Sequence, residues 1–413
     1  WIAFSKHQEF ECTINKRSGY YSELKRYRDT NLTYRMTMKA FDGLEDLGLI
    51  YITKKGYYDS NIMQGSLTKF RATYELQDMF KEINGHPSIL LKPNLDLETI
   101  LLRDIVNGKR TLVDYEDDKD TERWRNNLKK INSCFSKHII DLRIKDEEVI
   151  KLQDRLLRED DKEPFDLTKK VLVRIFTNNS FENGGRFYRG WWQNIPSEYR
   201  KFITLDSKVT TEFDYSQLNP NMIYDRHNLE LGSDDAYDRV LEGRHRDTVK
   251  QAFNAMIQSS TPLTHKPEKL NLSNLDMSWK DLRDSILRAH KPIEHLFFKG
   301  IGNRLQFEDS CIAESIMLHF ANMDAPALPV HDSFIMHHSF GSYGELEEVM
   351  RRAYYERFNT DIKVKKEMVV EQKSNIPINE DGSISLEVDD ILNAENEYSG
   401  WRDRDRMWLS NRS

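Results

Sequence analysis

Residues 185–217 read GRFYRGWWQNIPSEYRKFITLDSKVTTEFDYSQ. The stretch opens on a glycine-arginine turn, passes through a QNIP loop and an arginine, Arg200, and ends on Asp214-Tyr215-Ser216-Gln217. Val209 to Tyr215 alternates as a strand. Val209, Thr211, Phe213 and Tyr215 share one face, and Thr210, Glu212 and Asp214 share the other, less apolar face. Asp214 therefore stands at a strand end.

A second aspartate follows in Val330-His331-Asp332-Ser333, between two short apolar strands, Ala327 to Val330 and Phe334 to Met336. A hairpin with an acid at its tip is a costly place for a lone charge, and a cation offsets that cost. Mg²⁺ takes one or two carboxylates and fills its shell with water and phosphate oxygens. Two such ions about 3.5–4 Å apart stabilise both the attacking 3′-oxygen and the leaving pyrophosphate. Asp214 and Asp332 are the side-chain type that bridges them. Metal-assisted phosphoryl transfer on nucleic acid is the chemistry these two acids imply.

Between them lies RDTVKQAFNAMIQ, residues 246–258. Val249, Ala252, Phe253, Met256 and Ile257 form one apolar helix face. Arg246, Lys250, Asn254 and Gln258 recur every fourth residue as a polar stripe. Arginine and lysine one turn apart can clamp a triphosphate, the first by its forked donors and the second as a point charge. The same pattern also describes an ordinary amphipathic helix with a solvated basic edge.

Working outward, residues 1–82 read as a winged helix. Ser22 to Arg28 is a short basic helical stretch, and Thr33 caps a second helix that ends at Gly48. Leu49 to Thr53 is a strand, Lys54-Lys55-Gly56 a turn, and Lys69 to Leu76 a second strand. That second strand sets Phe70, Ala72 and Tyr74 against Lys69, Arg71 and Thr73. Basic outward positions suit DNA contact, and the same module can also dock protein. Residues 83–96 carry glycine and prolines and read as a linker. Beyond the acidic YEDDKDTERW run, a helix places Trp124, Leu128, Ile131 and Phe135 on one side, and another helix covers Asp146 to Arg158. The tail, residues 376–413, has an acidic loop from Asn379 to Asp390 and then Trp401 and Trp408 at helical spacing, and is expected to pack on the body.

The chain has 413 residues and a net charge of −7, from 61 Lys+Arg against 68 Asp+Glu. That balance argues against a wholly basic nucleic-acid binder but does not decide the matter, because a local basic groove can sit on an acidic body. No apolar run approaches the roughly 18 residues of a membrane span, and no signal-peptide pattern opens the chain. Cys12, Cys134 and Cys311 lie far apart with no CxxC pair, so the expectation is reduced thiols in a cytoplasmic protein, with neither a zinc site nor a disulfide framework. No GxxxxGK[ST] is present, so no P-loop engine is encoded.

The motifs taken together resemble the DNA polymerase I family (family A). Gly185-Arg186, Gln193-Asn194-Ile195-Pro196, Arg200 and Asp214-Tyr215-Ser216-Gln217 follow the order of that family's approach to motif A and motif A itself. Arg246-xxx-Lys250 resembles motif B of the fingers, and Val330-His331-Asp332 resembles motif C. The resemblance covers roughly residues 171–360.

It implies an α+β chain: an N-terminal winged helix (1–82), a linker and helical thumb-like region (83–170), and a compact right-hand palm in two parts (171–225 and 309–375). Fingers (226–308) lie between the palm parts, and a C-terminal tail (376–413) follows. It implies Asp214 and Asp332 as catalytic metal ligands, with the Tyr215 carbonyl as a third, for two Mg²⁺ or Mn²⁺ ions. Arg246, Lys250, Asn254, Gln258 and Asn219 would form the nucleotide site. Arg186, Gln193, Asn194 and His331, with Lys69 and Arg71 of the winged helix, would meet nucleic acid. The implied partners are a DNA template-primer and deoxynucleoside triphosphates.

The pattern departs from the family at four places. Asn219 stands where the DNA polymerases carry a glutamate that blocks the ribose 2′-hydroxyl. Asn254 replaces a bulky aromatic, Gln258 replaces a tyrosine, and Ser333 replaces the second acid of motif C, as in single-subunit phage RNA polymerases. These departures open the site to ribonucleotides. Three readings follow: a DNA-templated DNA polymerase of a virus, plasmid or mobile element; an RNA polymerase, primase or template-independent transferase on the same palm; and a non-catalytic DNA-binding replication initiator.

Overall fold

A computed structural model describes residues 11–22, 25–27, 32–59, 64–81, 86–159, 162–232, 235–369 and 396–410. The fold combines helices with largely antiparallel sheets and is of the α+β class. It divides into two compact units: residues 1–99, 141–171 and 376–413 form the first, and residues 100–140 and 172–375 the second. No described helix is long and apolar enough to cross a membrane.

In the first unit, Thr33 accepts a hydrogen bond from the Met36 amide and caps the helix Tyr34–Asp46. Gly48, at φ +68°, turns the chain out of that helix. The strand Ile50–Lys54 then pairs with Thr68–Ala72, whose other edge takes Cys12–Ile14. Phe41 of the helix meets Phe70 of the central strand edge-on at 5.1 Å. A small hairpin, Tyr57–Asp59 against Gln64–Ser66, was not legible in the sequence.

The strand expected to reach Leu76 stops at Ala72. Thr73 donates its amide to the Leu49 carbonyl, and its hydroxyl accepts from the Leu76 amide. That cap starts a helix, Tyr74–Lys81, so local capping overrides the alternation of Phe70, Ala72 and Tyr74. The basic stretch from Ser22 to Arg28 is a helix ending at Ser22 and a 3₁₀ turn, Lys25–Tyr27; residues 23, 24 and 28 lie outside the described residues. The linker of residues 83–96 holds a short helix, Pro87–Leu90, and its first three residues also lie outside.

The helix Asp146–Arg158 forms where the sequence places it. In the tail, Ser399–Ser410 is helical, and Arg404 donates to Asp141 through Nε and Nη2 at 2.8–3.1 Å. The acidic stretch from Asn379 to Asp390 lies outside the described residues.

The second unit carries two sheets. One has the order Ser180–Tyr188, Val173–Thr177, Ile100–Val106, Lys109–Leu112. The pairing of Ile100–Val106 with Val173–Thr177 is parallel. Two long helices pack on it, Lys119–Lys137 and Gly302–Ala321. The first buries Trp124, Leu128, Ile131 and Phe135, the side the sequence predicts. The second sheet runs Leu328–Val330, Ser333–His337, Lys208–Tyr215, Ile203–Leu205, and Val364–Val369 also pairs with Lys208–Tyr215.

Two sequence expectations change here. Residues 83–170 are not all linker and helix: they contain the strands Ile100–Val106 and Lys109–Leu112, and they are shared between the two units. Gly185-Arg186 is not a turn. It lies within the strand Ser180–Tyr188, where the register shifts on either side of Gly184 and both glycines have φ near +80°. Glycine is the residue that tolerates such a bulge.

Candidate active site

The Asp214 strand, Lys208–Tyr215, lies between Ser333–His337 and Val364–Val369 and is buried through most of its length. In the antiparallel register Asp214 stands directly opposite Ser333. Opposed Cα atoms in such a ladder are about 4.5–5.5 Å apart, so Asp332, the residue before Ser333, sits beside Asp214. Val330 pairs with Ser333, leaving His331-Asp332 as a two-residue hairpin tip with His331 at φ +57°. The tight turn therefore fixes the second acid next to the first.

Burial first, and then the neighbouring Asp332 and Glu367, raise the Asp214 carboxyl to about 7, with Lys250 acting in the opposite direction. Its Oδ1 is buried without a hydrogen-bond partner among the described residues. A buried, unpartnered carboxylate oxygen beside a second acid is a donor set that a hard divalent cation fits. Asp332 and the Tyr215 carbonyl complete the set the sequence names. The Tyr215 side chain points elsewhere: its hydroxyl donates to the Met350 carbonyl at 2.5 Å.

Sequence reasoning passed over Glu212. It shares the Asp214 face two residues earlier, is buried, and accepts from Arg200 at 2.5 Å and from the Ser333 hydroxyl at 2.6 Å. Ser333 thus ties the two central strands together, and Arg200 neutralises the acid it ties to. The alternation already placed Glu212 on that face, and Arg200 belonged to the quoted motif. The pairing between them was the missing information.

Asp309 was passed over as well, because in the sequence it stands mid-helix between Glu308 and Ser310 and looks solvated. It is 2% exposed, and its Oδ2 accepts from Arg186 Nε at 2.5 Å. Burial raises its carboxyl to about 6, against the pull of Arg186. Arg186 is thereby aimed by a buried acid, while its charge is felt by Asp332. Beneath the bulge, Arg174 donates to the Gly185 carbonyl, Ser310 Oγ and Glu314, locking the bulged strand to the helix Gly302–Ala321.

The QNIP loop holds the other acid. Gln193 Nε2 donates to the Phe187 and Pro329 carbonyls, and Trp192 Nε1 also donates to Pro329. These bonds anchor the strand Leu328–Val330 that leads into Asp332. In this structure Gln193 is thus occupied with holding backbone. Asn194 follows it in the short helix Trp191–Asn194.

The helix Arg246–Gln258 has the predicted bounds and buries all five predicted apolar residues. Its polar stripe is less uniform. Arg246 is already bound to Asp235, at 2.7 and 3.0 Å, and lies over the Tyr237 ring. Lys250 is exposed and within electrostatic reach of Asp214. Asn254 accepts a hydrogen bond from the Asn219 side chain at 2.9 Å, so two of the proposed nucleotide-site residues form one amide pair. Gln258 lies over Gly302, where an added Cβ would come within 2.3 Å of its Cδ. In the first unit, Lys69 and Arg71 both face Glu11, the lysine at 2.8 Å, so part of the basic surface read from the strand is neutralised.

No protein-family model matches the chain, and no curated protein matches it significantly. Among solved structures it is similar to the POL domain of Pol1 from M. smegmatis in complex with DNA primer-template and dNTP. The identity is 13%, the TM-score 0.33, and the match covers 60% of this chain and 51% of that one. The chain therefore spans about half the length of that structure, and a likeness at this score fixes neither its fold family nor its activity.

Proposed function

We propose that the second unit is a polymerase-like palm and fingers that adds nucleotides to a 3′-hydroxyl by two-metal phosphoryl transfer, most simply as a DNA-templated DNA polymerase. The observation that carries this reading is Asp214: a half-buried carboxylate with one buried oxygen that has no hydrogen-bond partner among the described residues, set by register beside the hairpin acid Asp332. Asp214, Asp332 and the Tyr215 carbonyl would hold the ions. When bound, two hard cations supply charge stabilisation for the attacking 3′-oxygen and the leaving pyrophosphate.

The protein's own groups do the rest. Lys250 meets the triphosphate as an exposed point charge. Arg246 joins it by exchanging Asp235 for phosphate oxygens. Arg186, held by Asp309, reaches nucleic acid near the primer end, and His331 at the exposed hairpin tip adjoins it. The first unit, read as a winged helix, contributes Lys69 and Arg71 to DNA contact. The palm, fingers and thumb-like assignments of the sequence reading belong to this proposal.

The test is extension of a labelled primer-template with Mg²⁺ or Mn²⁺ and each nucleotide set. Asp214→Asn and Asp332→Asn are each expected to reduce turnover by about 10³-fold or more, the equivalent of several kcal/mol of lost charge stabilisation, with DNA binding retained. Synthesis at the unaltered rate in either variant would sink the mechanism. DNA binding without any synthesis by the wild-type chain would favour a replication initiator.

One observation favours a second reading, a primase or RNA polymerase on the same site. The Asn219–Asn254 pair puts a small neutral amide where a family A DNA polymerase has a glutamate. Nothing charged or long at Asn219 then excludes a ribose 2′-hydroxyl.

A further inference from the structure

Away from the paired aspartates, the second unit brings together three donors of a different chemistry. Cys134 lies in the last turn of the helix Lys119–Lys137, and His138 is the residue that ends it. Their spacing of four residues puts them on one face, one turn apart. Asp324 comes from the turn after the helix Gly302–Ala321, at φ +54°. One ligand atom from each lies within 4.8 Å of the others. Cys134 and His138 are buried, and Asp324 is exposed.

The surroundings prepare the histidine. Its Nδ1 meets Asp206 Oδ2 at 2.7 Å, and Asp206 Oδ1 accepts from the Ile139 amide at 3.1 Å. A carboxylate at Nδ1 holds the proton there and puts the lone pair on Nε2, the arrangement that orients metal-bound histidines. Asp206 lies in the turn between Ile203–Leu205 and Lys208–Tyr215, at the far end of the strand that carries Asp214.

We propose that Cys134, His138 and Asp324 form a zinc site, with Asp206 as its positioning residue and water in the fourth position. The donor set selects the metal. A thiolate, an imidazole and a carboxylate together suit Zn²⁺, whereas Mg²⁺ and Mn²⁺ prefer oxygen alone. Thiolate and carboxylate balance the charge of the dication. Tetrahedral zinc with bonds of about 2.0–2.3 Å sets its ligand atoms about 3.6 Å apart, so side-chain rotations of about 1 Å close the site. Lys137 now takes Asp324 Oδ1 at 2.8 Å, and a carboxylate has a second oxygen to offer.

Burial pushes the Cys134 thiol up to about 12, so without a metal it is protonated near neutrality. Forming the S–Zn bond releases that one proton to solvent, and no electron is transferred. The ion would join the ends of two helices beside the Asp206 turn. The site is separate from the paired aspartates.

The full chain, purified without a histidine tag, is dialysed against zinc and assayed for bound metal. Cobalt(II) is then titrated as a spectroscopic substitute. One zinc per chain and a thiolate-to-cobalt charge-transfer band are expected, both retained in Asp214→Asn and Asp332→Asn. Cys134→Ser should lose the band. Asp324→Asn, at an exposed position, guards against misfolding of the buried variant and should weaken zinc binding with the circular dichroism unchanged. Asp206→Asn should weaken it about 10–100-fold. A folded chain that holds no zinc overturns the proposal, as does a cobalt complex without the thiolate band or zinc binding unaltered in Cys134→Ser and Asp324→Asn. Failure here leaves the polymerase reading untouched, because the primer-extension outcome does not depend on this site.

Discussion

At the residue scale, Asp214 carries a pH dependence that can be measured without any substrate. Its folded-state pKa, about 7, lies above the ordinary aspartate value. The group therefore favours the folded state below about pH 4 and withdraws that contribution as pH rises toward 7. A divalent cation that holds the ionised carboxylate counters the loss. The Tm gain on adding Mg²⁺ is expected to be small near pH 5.5 and larger near pH 8, and Asp214→Asn should flatten the difference. An equal gain at both pH values would show that the ion is held elsewhere. Asn219 makes a second residue-scale prediction. Asn219→Glu should lower ribonucleotide incorporation relative to deoxynucleotides by at least about tenfold, since a charged carboxylate desolvated against a 2′-hydroxyl costs more than about 1.4 kcal/mol. An unchanged ratio in a competition assay would remove the sugar-gate argument. Both acids and the amide pair were readable as residues. Glu212 and Asp309 were not, because a carboxylate in a strand or mid-helix looks solvated until its arginine is known.

At the scale of elements, the bulged strand Ser180–Tyr188 is the most constrained part of the site. Gly185 has φ +80°, and a Cβ there would meet Phe176 and Ser310 at 2.9 Å. Gly185→Ala should therefore cost about 1–3 kcal/mol from overpacking, with backbone strain added, and displace Arg186 from Asp309. Denaturant midpoints check the first effect, and primer extension at permissive temperature checks the second. A midpoint like wild type would mean that the bulge relaxes at little cost. Element boundaries were legible where periodicity was strong, as in Arg246–Gln258 and Asp146–Arg158. They were missed where one hydroxyl decided the outcome. Thr73 turns an alternating pattern into a helix start, and no periodicity argument weighs a single cap. The short hairpin Tyr57–Asp59/Gln64–Ser66 has too few residues to carry a period.

At the scale of the whole molecule, the sequence reading interrupts only the palm, by the fingers, whereas the structure divides the chain into two units that are both built from interleaved segments. The mixed α+β class was legible because strand and helix periods both occur. The interleaving was not, because it depends on pairings between distant residues such as Arg404 with Asp141. Both side chains are largely buried, at 11% and 3% exposure. Arg404→Ala leaves the Asp141 charge without this guanidinium and is expected to destabilise the first unit by about 3–5 kcal/mol. Hydrogen exchange should show lost protection in the helix Ser399–Ser410. Replacing both residues together with apolar ones should recover much of the loss, and no recovery would mean that the helix docks by other contacts.

That pairing also orders events during synthesis. Residues up to 99 of the first unit leave the ribosome before the second unit, yet the first unit's helix Ser399–Ser410 emerges some three hundred residues later, after all of the second unit. Until then, the Asp141 carboxylate and the surface that receives Ser399–Ser410 wait exposed in the nascent chain. A chain cut off before Ser399 would thus damage the first unit while sparing the second.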